Sequence, residues 1–476
     1  MIGFAIGRIL LVEAALLLLP MAVALGYGES PVPYLLPAAL LVLCGGLLSF
    51  KKPRQASLFA RDGLAVVALA WIAVSLFGAL PFYISGSIES FVDCFFETVS
   101  GFTTTGATIL TEVESLNRGI LFWRSFTHWV GGMGVLVFVM AILPMGGDGH
   151  GMHMLRAEMP GPAVGKLVSR MSDTAKILYG IYCALTLLEV FCLRIAGMPW
   201  YDSLVHSFAT AGTGGFSTRN LSIAAYESPA IEVIITLFML VFSINFALYF
   251  LLLCGKVRQA LRSDELRFFL AVVAFSTLLI SINIWPMYPA DGSAVRHAAF
   301  QVGSIISTTG FASTDFNLWP EFSRILLVLL MFIGACAGST GGGVKCSRVL
   351  MLLRAIRREI HQIAHPRSVE VVKLDGKVAE ESTVHSVLVF VGCYSLILLG
   401  AALVVSLDNT PFDVSFSAAL TCLSNVGPGL SAIGPTGNFS GFSDLSKLVL
   451  SLCMIVGRLE IFPILVMFSA RTWRRD

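Results

Sequence analysis

Four short stretches of threonine, serine and glycine recur along this chain. They read Thr103-Thr104-Thr105-Gly106-Ala107, Gly212-Thr213-Gly214-Gly215-Phe216, Ser307-Thr308-Thr309-Gly310-Phe311 and Ser424-Asn425-Val426-Gly427-Pro428. None offers an acid–base pair. What they share is compact residues on backbone that can leave the helix, so that carbonyl oxygens face a ligand. Glycine tolerates positive φ, which lets successive carbonyls point the same way. Rings of such carbonyls can replace the hydration shell of a cation. The candidate ring residues are Thr104, Thr105 and Gly106; Thr213, Gly214 and Gly215; Thr308, Thr309 and Gly310; and Asn425, Val426 and Gly427.

Glycine and threonine also pack transmembrane helices against one another, which is the plain alternative. Four copies outweigh it, because each follows the same approach. Fifteen residues before each glycine stands an apolar residue: Phe91, Trp200, Val295 and Phe412. The pattern is a short helix followed by an extended strand, four times. A short helix ending at the strand turns its partly negative C-terminus toward the site, which favours a cation over an anion.

The elements that hold these strands follow from composition. Of 476 residues, 56% are apolar and 13% charged, against roughly 25% charged in a soluble domain. Mean hydropathy is +0.82. The apolar residues fall in runs of about 20, the length that crosses a bilayer core. The net charge of +2, with bases scattered between apolar runs, excludes a nucleic-acid partner. The expected fold is an all-α polytopic membrane protein with no cleavable signal. Two N-terminal spans, 4–26 and 34–50, precede four similar units. Each unit has a long first span (62–84, 174–197, 268–286, 383–407), a short segment (90–102, 199–211, 294–306, 411–423) and a long second span (119–144, 229–254, 321–360, 444–470). The short segments have about 12 residues, too few to cross, so they are read as re-entrant pore helices. The domain reading is 1–57 for the extra helices, then pore repeats at 58–150, 151–262, 263–375 (with a broken second span) and 376–476.

Basic residues test the layout. With ten spans and the N-terminus inside, the inward loops hold Lys51, Lys52, Arg54 and Arg61; Arg156, Lys166, Arg170 and Lys176; Lys256, Arg258, Arg262 and Arg267; the block from Lys345 to Lys377; and Arg471, Arg474 and Arg475. Segments 85–117 and 408–442 hold no lysine or arginine, and the other outward segments hold Arg219 or Arg296. This asymmetry obeys the positive-inside rule. Four segments therefore dip in from the outside and return, and both termini lie in the cytoplasm.

On these motifs the chain resembles the Trk/Ktr/HKT superfamily of potassium transporters. The matching runs are TTTGAT at Thr103–Thr108, AGTGGFST at Ala211–Thr218, STTGFAST at Ser307–Thr314 and SNVGPGLS at Ser424–Ser431. His128-Trp129-Val130-Gly131-Gly132-Met133-Gly134 and the run Gly338-Ser339-Thr340-Gly341-Gly342-Gly343-Val344-Lys345 match as well. The two extra N-terminal spans are similar to the bacterial Trk-type transmembrane subunit. The resemblance covers essentially the whole chain. It implies K⁺ uptake across the bacterial inner membrane and no enzyme activity. It also implies a homodimer with one pore per chain in the lipid bilayer, and a cytosolic, TrkA-like nucleotide-binding regulatory ring. K⁺ is then the transported ion, with no organic cofactor; a metal-binding chain and symport are further expectations. In sodium-preferring members a serine replaces the first filter glycine, which here is Gly106.

The run from Gly338 to Lys345 nearly spells a phosphate-binding loop, but Val344 separates Gly343 from Lys345 and Cys346 follows. Three consecutive glycines each disfavour helix by about 1 kcal/mol relative to alanine. The stretch is read instead as a break in a long span, either a movable segment inside a pore or a fixed kink. Arg458 lies mid-way along the apolar run 448–468, where an arginine costs roughly 2.5–3.5 kcal/mol to insert. It must face protein or water: either an ion pair with another span, or a charge in the ion path. The resemblance implies the second, with Arg458 opposite Gly338, Ser339, Thr340, Gly341, Gly342 and Gly343 as a gate.

Other candidates are weaker. The ten cysteines form no CxxC pair and are read as small buried hydrophobes. His361 with His365, and His150 with His153, lack a third ligand. Asp93 and Glu97 either concentrate cations at the mouth or pair with Arg118 or Arg124. Arg354, Arg357, Arg358, Arg367 and Lys373 are read as a surface that docks an acidic cytosolic regulator. The rival function is a cation-coupled carrier with broken helices working by alternating access, but repeats of that class are commonly inverted whereas these four are parallel.

Overall fold

The computed structural model describes residues 2–50, 60–134, 171–289, 292–368 and 370–468. Among the described residues the chain is all-α apart from one small hairpin, Lys373–Leu374 paired with Lys377–Val378. Among the described residues six helices are long and apolar enough to cross a membrane: Ile2–Gly26, Val32–Ser49, Gly63–Ile84, Thr174–Ile195, Asp264–Met287 and Glu381–Asp408. The pair Pro229–Phe242 and Phe246–Leu253, bent by 91°, makes a seventh if its two halves count as one span. These are the two N-terminal spans, the four first spans and one second span of the sequence reading. The loops around Lys51 and Arg156, the histidines His150 and His153, and the tail from Arg471 lie outside the described residues.

The four short segments are helices: Phe91–Phe102, Trp200–Gly212, Ser293–Ile306 and Phe412–Ser424. At 1.5 Å per residue the longest, of 14 residues, covers about 21 Å, less than the roughly 30 Å hydrocarbon core.

The second spans depart from expectation, since three of the four are not continuous. The third was expected to break and does, between Glu321–Ile333 and Cys346–Ala364. The second breaks at Ser243–Asn245, where the Asn245 side chain accepts from Ala247 N and starts a new helix. The fourth breaks after Asp444–Arg458, where Glu460 and Ile461 both take positive φ before Phe462–Phe468 begins. In the first, helix Arg118–Gly132 ends before Gly134, and 135–144 lie outside the described residues.

The N-terminal helices are tied to this assembly by a capping contact. Glu29, in the turn between them, accepts from the backbone N–H of Arg118 at 2.6 Å and of Gly119 at 2.9 Å. A carboxylate there complements the positive end of helix Arg118–Gly132. All ten cysteines are free; Cys94, Cys336, Cys346, Cys422 and Cys453 are buried and Cys254 is exposed.

Candidate functional site

Each short helix ends in the same way. The residue two before the motif glycine takes positive φ: Thr104 (56°), Thr213 (57°), Thr308 (60°) and Asn425 (55°). Its N–H bonds back three residues, to Gly101, Thr210, Ile305 and Cys422. The next N–H, from Thr105, Gly214, Thr309 and Val426, bonds back five residues, to Ser100, Ala209, Ser304 and Thr421, at 2.8–2.9 Å. This paired closure is a left-handed C-terminal cap. Asn425 departs from threonine in type but not in conformation, and asparagine visits the left-handed region more readily than a β-branched residue.

The motif glycines then take positive φ as well: 80° at Gly106, 74° at Gly215, 84° at Gly310 and 101° at Gly427. Sterics also require glycine there. A Cβ at Gly106 would collide with the Gly214 carbonyl, at Gly215 with that of Thr309, at Gly310 with that of Val426, and at Gly427 with that of Thr105. The approaches run from first strand to second, second to third, third to fourth, and fourth back to first. The four strands thus close on themselves as a ring. On one side all four glycines line a cavity of about 130 Å³.

Polar side chains peg each strand from behind. Glu97 accepts from Thr108 Oγ1 and Ile109 N, both at 3.0 Å. His206 donates from Nδ1 to the Asp202 carbonyl, so its Nε2 accepts from Ser217 Oγ at 2.9 Å. Ser304 donates to the Phe311 carbonyl and Thr421 to that of Pro428. The open choice for Glu97 resolves to Arg124, whose Nε sits 2.6 Å from the carboxylate with both groups buried. Arg124 also donates to the Ser217 carbonyl and lies 3.5 Å above the Phe216 ring, so it braces strand one against strand two. Asp93 pairs instead with Lys447, at 2.6 Å. The sequence carried no sign of that partnership.

Beyond the ring, the broken third span brings its loop directly against the strands. Gly342 N donates to Thr308 Oγ1 at 2.7 Å, and a Cβ at Gly342 would strike the Ser424 carbonyl. Arg458 is the last residue of its helix, not the middle of a longer one. It donates from Nη1 to the Thr340 carbonyl at 2.7 Å, and from Nη2 to the carbonyls of Gly131 and Gly132 at 2.6 Å. Lys345 donates from Nζ to the Gly341 carbonyl. Gly338, Ser339, Gly341, Gly342, Lys345 and Arg458 help line a cavity of about 40 Å³. Glu460 pairs with Arg348.

A family model described as TrkH, cation transport protein, matches residues 36–475. The chain belongs to the TrkH family. It is 36% identical over 476 residues to the Trk system potassium uptake protein TrkH of Salmonella typhimurium, covering 98% of each chain. To the Trk system potassium uptake protein TrkG of Escherichia coli K12 it is 35% identical, covering 96% of this chain and 94% of the other. The crystal structure of the potassium transporter TrkH from Vibrio parahaemolyticus superposes with a TM-score of 0.90 at 34% identity, covering 99% of both chains. The superfamily resemblance read from the filter motifs therefore holds along the chain, and as a TrkH-family member the protein is a transporter and not an enzyme.

Two expectations are corrected. Among the described residues no three histidine, cysteine, aspartate or glutamate side chains gather into a group that could hold a metal ion. The chain is therefore not described as metal-binding. The same finding leaves symport without a side-chain cluster for a second metal cation among the described residues, and that expectation is withdrawn too. His361, one of the weak histidine candidates, lies instead against the His365 ring and 3.3 Å from Glu370. The basic surface is altered too: Arg354 pairs with Asp264, and Arg358 with Glu359 and Glu381. Arg357, Arg367 and Lys373 remain exposed.

Proposed function

We propose that the chain conducts K⁺ into a bacterial cell across the inner membrane, through a channel-like filter gated from its inner side. The observation that carries the reading is the cyclic order of close approaches among Gly106, Gly215, Gly310 and Gly427. Four strands closed in this way present stacked backbone carbonyls, from Thr104 to Gly106, Thr213 to Gly215, Thr308 to Gly310 and Asn425 to Gly427, to a dehydrated ion. The four helix C-termini add partial negative charge. Names of relatives that specify potassium uptake support K⁺ as the ion.

The gate is the loop Gly338, Ser339, Thr340, Gly341, Gly342 and Gly343 together with Arg458. A fixed positive charge about 4 Å from the ion repels it by roughly 4 kcal/mol at an effective dielectric of 20. The membrane potential drives entry by about 2.3 kcal/mol per charge per 100 mV. Ten spans and four re-entrant helices, in four repeats at 58–150, 151–262, 263–375 and 376–476 after two helices in 1–57, place both termini in the cytoplasm. Two chains pair as a homodimer, each with its own pore. A cytosolic nucleotide-binding ring docks on the basic inner surface. Flux of ⁸⁶Rb⁺ and ²²Na⁺ into liposomes holding the purified chain tests the reading. Selective Rb⁺ entry, increased by deleting Gly341–Gly343, supports filter and gate together.

A further inference from the structure

We propose that the adjacent carboxylates Asp264 and Glu265 couple the cytosolic hairpin to the intramembrane loop, and that Glu265 is the positioning residue that holds the loop closed. The proposal rests on reading Gly338–Gly343 as the gate.

Glu265 stands in the first turn of helix Asp264–Ile284 and is 6% exposed. One of its oxygens, Oε1, accepts from Ala337 N at 2.7 Å and from Ser347 N at 3.0 Å. Ala337 immediately precedes Gly338. Ser347 lies in the first turn of helix Cys346–Ala364. A single carboxylate oxygen thus clips the entry of the loop to the start of the helix that leaves it. Charge-assisted bonds of this kind are about twice as strong as neutral ones, and a carboxylate at a helix N-terminus gains further from the dipole. Closing the neck does not need Glu265. Val344 N to Phe332 O, Lys345 N to Ile333 O and Cys346 N to Ala335 O already join the two sides. Cys336 N to Ser243 O and Phe246 N to Gly338 O hold the residues on either side of Ala337, and what Glu265 adds is a fixed position for Ala337 between them.

The preceding residue faces the cytosolic elements. Asp264 Oδ2 accepts from Arg354 Nη1 at 2.9 Å and from Asp375 N at 3.0 Å, while Asp264 N donates to Asp375 Oδ1 at 2.7 Å. Arg354 also donates to the Lys373 carbonyl. The turn of the Lys373–Val378 hairpin, helix Cys346–Ala364 and the start of the third first-span therefore meet at Asp264. Arg354 lies two turns beyond Ser347 on one helix face, so a shift of that helix moves both anchors together. Side chains at 264 and 265 point about 100° apart on the helix. A pull on the hairpin or on Arg354 that rotates this helix end displaces Glu265 from Ala337 and frees the loop.

The test uses the full chain in liposomes without any partner, comparing wild type, Glu265→Ala, Glu265→Gln, Asp264→Ala and the Gly341–Gly343 deletion for ⁸⁶Rb⁺ uptake and for the Rb⁺ to Na⁺ ratio. Glu265→Ala is expected to raise uptake about tenfold, the factor for roughly one net charged hydrogen bond, with the ratio unchanged. Glu265→Gln keeps an oxygen that accepts both N–H groups but loses the charge, so its uptake is expected to fall between wild type and Glu265→Ala. Asp264→Ala is expected to raise uptake and to speed amide exchange at Ala337 and Ser347. A folded Glu265→Ala with wild-type uptake, or a Glu265→Gln as leaky as Glu265→Ala, overturns the link; unchanged exchange in Asp264→Ala overturns it even where Glu265→Ala does not fold. If the deletion raises uptake and Glu265→Ala does not, the link falls and the gate stands. If the deletion leaves uptake unchanged, the gate reading has failed and the link goes with it.

Discussion

The guanidinium of Arg458 donates to the Thr340 carbonyl at 2.7 Å, which fastens the end of the fourth repeat's inner helix to the middle of the third repeat's loop. The same side chain reaches the carbonyls of Gly131 and Gly132 in the first repeat. Three segments distant in sequence therefore meet at one cation beneath the ring. Replacing it removes both a fixed charge and a tether. Arg458→Ala is expected to raise Rb⁺ flux in liposomes while the Rb⁺ to Na⁺ ratio stays near wild type. A folded variant that conducts no faster assigns Arg458 a purely structural role.

The ring demands glycine for two reasons, positive φ and carbonyls too close for a Cβ. Gly106→Ser and Gly310→Ser are therefore expected to displace Gly214 and Val426 respectively, and to spoil carbonyl geometry without unfolding the chain. The K⁺ to Na⁺ permeability ratio is expected to fall by about tenfold, the factor for a 1.4 kcal/mol difference in coordination. An unchanged ratio in both folded variants rules out the ring as the selective element.

Glu97 and Arg124 form a buried ion pair that also carries the outer end of strand one. Removing one partner leaves an uncompensated buried charge, at a cost of about 3–5 kcal/mol. Glu97→Leu alone and Arg124→Met alone are each expected to lower the melting temperature in detergent sharply. The double variant, which buries no charge but leaves Ile109 N and the Ser217 carbonyl without these partners, is expected to recover part of the loss. Equal melting temperatures for wild type and both single variants contradict the brace.

How far these features were legible in the sequence depended on whether they were local. The four short helices were, because Trp200, Phe412 and the Thr/Gly strands that follow them mark both ends within a short stretch. The break at Gly341–Gly343 was legible too, since consecutive glycines disfavour helix wherever they stand. The breaks at Ser243 and Glu460 were not. The run from Phe242 to Phe246 is apolar enough to pass for helix, and it opens because Ser243 and Phe246 bond to Cys336 and Gly338 of another repeat. Glu460 leaves the helix where it pairs with Arg348, distant in sequence. Asp93 finding Lys447, and Glu97 choosing Arg124 over Arg118, are likewise consequences of the packed ring, which periodicity does not encode.

Of the basic inner residues, Arg357, Arg367 and Lys373 are exposed while Arg354 is held by Asp264. An acidic cytosolic regulator docking there is expected to dissociate as salt rises, since charges are screened beyond about 8 Å at physiological ionic strength. Arg357→Glu combined with Arg367→Glu is expected to weaken its retention at low salt. Co-purification from the native host that retains no soluble partner at low salt, or retains it equally with the double variant, contradicts this docking surface.

The central claim is that one chain encloses a selective pore between four backbone strands. It is tested most directly by ⁸⁶Rb⁺ and ²²Na⁺ uptake into proteoliposomes carrying the purified Gly341–Gly343 deletion, with only an opposing K⁺ gradient and no pH or Na⁺ gradient. The account predicts Rb⁺ accumulation driven by that K⁺ gradient alone, with Na⁺ entry far slower. Rb⁺ entry that appears only when a proton or Na⁺ gradient is imposed, or equal entry of Rb⁺ and Na⁺, would contradict it.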